Sequence, residues 1–102
     1  MNKSWTIKAL ECQPMVDGKE KVVSKVHYAL EGELDGIHEE VLGVVELPEP
    51  TNSFTEFDKL TKEEVVSWVE SHVDVELITE ELGVKIALKA SAPIFPELPF
   101  NN

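Results

Sequence analysis

Residues 31–50, EGELDGIHEEVLGVVELPEP, hold seven carboxylates and no Lys or Arg. Carboxylates at this density can bind a hard cation, work as an acid–base pair, or present negative charge to a basic partner. A calcium loop needs the D-x-[DN]-x-[DN]-G pattern with a distal Glu, and the sequence has none. An acid–base pair needs a pocket that shifts its pKa values, and a chain of 102 residues leaves little room for one. His38, Glu39 and Glu40 cannot converge on one ion, because adjacent strand residues point to opposite faces. His27, His38 and His72 fall on separate segments outside any H-E-x-x-H or Cys/His zinc pattern. His27 and His38 are expected to face each other across a hairpin as an exposed pair. Cys12 is expected to be a small buried hydrophobe rather than a nucleophile. There is no G-x-S-x-G elbow, and the glycines are scattered rather than gathered into a phosphate loop. These residue types predict no enzyme activity, no metal and no cofactor.

Charge narrows the partners. The net charge is -11, and all nine basic residues are Lys. Without Arg the chain lacks the bidentate fork that grips phosphate, carboxylate or guanine. Nucleic acid and anionic membrane surfaces would repel it. No apolar run approaches the roughly 20 residues that span a bilayer. The first residues, MNKSWTIKALEC, contain no apolar core typical of a signal peptide. One cysteine excludes an intramolecular disulfide and suits a reducing compartment.

The elements that carry these residues follow from periodicity. Trp5, Ile7 and Ala9 alternate with Ser4, Thr6 and Lys8, as in a half-buried strand. In KVVSKVHYALEGE, Val22, Val26, Tyr28 and Leu30 share one face, and Val23, Lys25, His27, Ala29 and Glu31 the other. Ile37, Val41, Val45 and Leu47 share a face of the next run. Asp17-Gly18 and Asp35-Gly36 are hairpin turns joining the three runs. Residues 1–47 therefore predict a three-stranded antiparallel meander. Residues 48–60 form a linker, opened by Pro48 and Pro50. Phe54 and Phe57 are either anchors of that linker on the core or an exposed docking pair.

Residues 61–90 read as two helices. Thr61 and Glu64 make a capping box, flanked by Leu60 and Val65 as a staple. Val65, Trp68, Val69 and His72 form its apolar stripe. Asp74 caps a second helix with Val75, Ile78, Leu82 and Ile86 on its buried side, widened by Leu77 and Val84. Gly83 marks close packing or a break, and residues 84–88, read as helix, could taken alone also form a strand. Residues 91–102 form a Pro-rich arm whose Ile94, Phe95, Leu98 and Phe100 are expected to bury against the domain or a neighbour. The predicted fold class is α+β in a single domain: a meander with two helices on one face and a buried C-terminal arm. Its expected core is Trp5, Val26, Tyr28, Val41, Val45, Val65, Trp68, Ile78, Leu82 and Ile86.

Taken together, SWTIKAL, VVSKVHYALEGELDG, LTKEEVVSWVESH and PIFPELPF resemble a family of small uncharacterised proteins encoded by tailed bacteriophages. The resemblance rests on Trp5; on Val23, Val26, His27, Tyr28 and Asp35-Gly36; and on Leu60, Thr61, Glu63, Val65, Trp68 and Val69. It ends on Leu98-Pro99-Phe100, where Phe replaces the family's closing Trp. It implies a phage origin and hence synthesis in the bacterial cytoplasm, and it carries over no catalytic residue; residence in the virion is the expectation for a structural role.

Two functions fit. One is a non-enzymatic virion piece, a decoration or adaptor that binds capsid or tail subunits. It would use Phe95, Leu98 and Phe100, with Phe54 and Phe57 as second choices, because interfaces bury aromatic anchors centrally. The other is an inhibitor whose Glu31, Glu33, Asp35, Glu39 and Glu40 occupy the nucleic-acid groove of a host DNA- or RNA-handling enzyme. Solubility alone also accounts for those acids, most of which fall at a hairpin tip or on a solvated face. A homo-oligomer exchanging its apolar arm is a third possibility.

Overall fold

A computed structural model of the chain describes residues 1–48 and 55–100. Pro50 and Phe54 lie outside the described residues. The element order is β1 (Asn2–Val16), β2 (Lys19–Leu34), β3 (Ile37–Glu46), a 3-10 turn (Phe57–Lys59), α1 (Lys62–His72) and α2 (Val75–Ala90). The strands form one antiparallel sheet in the order β1-β2-β3, so the fold is the α+β meander that the sequence predicts.

Both reversals are Asp-Gly turns with positive φ at both residues: 49° and 78° at Asp17-Gly18, 52° and 80° at Asp35-Gly36. That backbone matches the right-handed twist of the flanking strands. Two bulges interrupt the first ladder. Ile7 pairs with Tyr28 but Ala9 with His27, which makes Lys8 an extra residue on β1. Glu11 pairs with Lys25 but Cys12 with Val23, which does the same for Ser24 on β2. Each extra residue shifts the alternation by one. Trp5 and Ile7 therefore share the core with Leu10, and Ala9 is exposed. On β2, Val23 joins the core cluster in place of Val22, which is buried outside it.

The helices cover one face, α2 against β3 and β2, α1 against β1 and β2. Thr61 Oγ1 caps α1 by accepting from the Glu64 amide at 3.2 Å. The reciprocal half of a capping box is missing, because the Glu64 carboxylate accepts from the Thr55 hydroxyl at 2.6 Å instead. Asp74 Oδ1 caps α2 by accepting from the Leu77 amide. Residues 84–88 are helical, and Gly83 lies inside α2 with open space where a methyl would sit.

The core contains Val23, Val26, Tyr28, Leu30, Val45, Val65, Val69, Ile78, Leu82 and Ile86. Val26, Val69 and Leu82 are completely enclosed, and burial of each such side chain stabilises the fold by about 1.5–3 kcal/mol. Trp5, Val41 and Trp68 pack on this cluster but are only partly buried. His72 is not on the apolar stripe. It is exposed in the last turn of α1, with its Nδ1 2.8 Å from the Trp68 carbonyl oxygen, and Val73 packs on the core nearby. Cys12 is exposed rather than buried. The radius of gyration is 19.7 Å, against about 13 Å for a compact domain of this length.

Candidate functional site

The expected acid cluster is divided by the sheet. Glu31 and Glu40 are cross-strand partners on the face away from the helices. Directly opposed like charges destabilise a ladder, and the bulge residue Lys8 relieves them. Its Nζ lies 3.9 Å from Glu31 Oε1 and 3.6 Å from Glu40 Oε2. Glu33 pairs with His38 on the same face, at 3.8 Å between Oε1 and Nε2. Ser4, Glu31, Glu33, His38, Glu39 and Glu40 are among the residues lining an open groove at this end of the sheet, unlike the enclosed apolar pockets that hold small ligands. Glu39 faces the helices, 3.9 Å from Lys89 Nζ. Asp35 belongs to the turn. The structure thus turns Glu31, Glu33 and Glu40 to one face, the Glu39 carboxylate toward Lys89 on the other, and places Asp35 in the turn.

His27 and His38 do not face each other. His27 is opposite Val44 on β3, and its Nε2 lies 2.7 Å from Glu11 Oε1 across the β1–β2 ladder. This contact could not be read without knowing that Lys8 bulges. Partial desolvation pushes the Cys12 thiol above its ordinary pKa even though the residue is exposed, and the nearby Lys21 charge opposes that shift. A thiol held protonated is a poor nucleophile. Among the described residues, no cluster of three His, Cys, Asp or Glu side chains could hold a metal ion. No helix among them is long and apolar enough to cross a membrane.

The C-terminal arm departs furthest from expectation. Every residue from Ser91 to Phe100 is exposed, so the arm does not bury against its own domain. Phe95 is 94% exposed and Ile94 81%, and Leu98 and Phe100 are each more than half exposed. Proline causes this: Pro93, Pro96 and Pro99 have no amide proton to donate and hold φ near −65°, so the segment cannot extend α2 and is poorly suited to add a strand. Phe57 behaves differently. It packs partly buried against the core, and Lys21 Nζ sits 5.6 Å from its ring centroid, so it anchors the 3-10 turn and is not continuous with the arm.

A sheet roofed on one face, an acidic open face and an uncovered apolar arm define a small α+β protein. The chain belongs to the family described as Domain of unknown function (DUF7936), whose model matches residues 1–100. No curated protein matches the chain. No solved structure matches it either.

Proposed function

We propose that the protein is a non-enzymatic accessory component of a phage particle, a decoration or adaptor piece that works by protein–protein binding through residues 93–100. The observation that carries this reading is the exposure of Ile94, Phe95, Leu98 and Phe100 on one short arm. Large apolar side chains grouped this way and left in water mark a surface that a partner covers. The phage setting comes from the sequence resemblance, and residence in the virion is part of the proposal. The deciding measurement is mass spectrometry of purified particles of the phage that encodes the chain. The protein should be present in fixed stoichiometry, and a chain ending at Ala92 should be lost from the particles. Particles free of the full-length protein would refute the reading.

A second reading, an acidic inhibitor seated in a host nucleic-acid groove, draws on Glu31, Glu33 and Glu40 along the open face. Lys8, inserted between two of them, weakens it by interrupting the row of charge that phosphates would present.

A further inference from the structure

We infer that the seat for the arm is α2 of a second copy of this chain, so that two protomers exchange their C-terminal arms. The inference rests on the reading of the arm as the binding element, and it names the surface that element occupies.

The arm is not the only unpartnered apolar surface. On α2, Ile78, Leu82 and Ile86 face the sheet. Leu77, Val84 and Leu88 are each more than half exposed. At 100° per residue these three fall within about 40° of one another, on the side opposite the buried stripe. A helix apolar on two opposite sides is ordinarily covered on both, and among the described residues nothing covers the second. The dimensions match. Leu77 to Leu88 spans about 17 Å along the helix. Ile94 to Phe100, the apolar part of the arm, spans about 19 Å when extended.

The arm and the stripe are consecutive in the chain, yet they do not meet. Ala92 precedes Pro93 and is held to extended backbone. Pro96 and Pro99 stiffen the rest of the arm, so the chain leads away from the helix rather than doubling back along it. A two-fold arrangement with the two α2 C-termini facing each other lets each arm continue onto the partner's helix, running from Leu88 toward Leu77. One chain then supplies both halves of a self-complementary contact, as an isologous dimer requires. The seven exposed side chains offer roughly 800 Å² per protomer, the size of a standard stable interface.

The test uses full-length chains carrying Cys12→Ser to remove the native thiol. One preparation carries Val84→Cys, and a second, with a different tag, carries Leu98→Cys. Mixed and oxidised, they should yield a heterodimeric disulfide as the main product, well above a control pairing Leu98→Cys with Met15→Cys. Light scattering should give twice the 11.4 kDa chain mass for the unmodified protein. The mass should halve for a chain ending at Ala92 and for Leu77→Glu combined with Leu88→Glu, with circular dichroism unchanged because both sites are solvent-exposed. A monomeric full-length chain, a dimer that survives removal of the arm, or cross-linking no greater than the control would each overturn the inference. A monomer that still enters particles through its arm would refute the exchange and leave the accessory role standing. An arm-exchanged dimer absent from particles would do the reverse.

Discussion

The ring of Tyr28 lies across Gly43, its register partner on the neighbouring strand. On its other side, the ring meets Trp5 edge-on, at 5.6 Å between centroids and 70° between planes. A methyl built on Gly43 would collide with the Tyr28 hydroxyl and ring. Gly43→Ala should therefore force the ring from its seat and cost about 1–3 kcal/mol, read as a lower urea midpoint. In a Tyr28→Val background the obstacle is gone and the penalty should shrink. An equal loss in both backgrounds would show that the ring is not what reserves this position for glycine.

Tyr28 also predicts a response to alkali. Burial raises its phenol above the ordinary value of 10.0, and the charge of Glu81 adds to the effect. The folded state thus favours the protonated phenol. This contribution to stability is fully present below the unfolded pKa and is lost as pH rises from there through the folded value. Because Tyr28 is the sole tyrosine, phenolate absorbance titrates it alone, and its midpoint should lie above that of free tyrosine. Tyr28→Phe should abolish the signal and soften the loss of stability above pH ~10.

Gly83 carries no packing role that would reserve its place, since a Cβ there meets nothing within 4 Å. Gly83→Ala should raise stability by about 0.5–1 kcal/mol through the unfolded chain's lost freedom, a rise in Tm of about 2–8 °C. Gly18→Ala is the contrasting case, because φ there is +78° and an L side chain is strained. Calorimetry should show the two substitutions moving Tm in opposite directions.

Salt separates the modes of binding. Two copies of a chain with net charge -11 repel each other, and ions screen that repulsion. Arm exchange, driven by apolar burial, should therefore tighten as salt rises from low to physiological concentration. Binding of the acidic face to a basic groove should weaken over the same range. Sedimentation across a salt series distinguishes them by the sign of the slope.

The meander is legible in the sequence because two Asp-Gly pairs sit between alternating runs, and the helices because Thr61 and Asp74 stand at their starts. The bulges are not, since a bulge is one residue in excess and leaves the composition of a strand unchanged. A hint exists: the apolar beat of Trp5 and Ile7 resumes at Leu10 rather than Ala9, one step late. Without that step, simple alternation hides the contact of His27 with Glu11, and without the second bulge, at Ser24, it exchanges the roles of Val22 and Val23. Cys12 escapes alternation for a related reason, because it lies beyond the Lys8 bulge on the part of β1 that leads to the hairpin tip. The widening of α2 by Leu77 and Val84 is visible in the sequence as a broad buried side. The structure shows two separate sides, because the sheet is wide enough to cover only Ile78, Leu82 and Ile86.

Lys85 and Lys89 reach from α2 to the outer edge of β3, where their Nζ atoms donate to the carbonyls of Glu40 at 2.6 Å and His38 at 3.1 Å. Lys89 is in the last turn before the arm. A pull applied to Phe100 is therefore delivered into the border of the sheet and not to a fraying helix tip alone. The same two lysines occupy acceptors that a stray strand would otherwise use to lengthen the sheet sideways. The mooring of the tether and the guard against fibrous growth are one device, so any event that unwinds that turn would loosen the tether and bare the border at once.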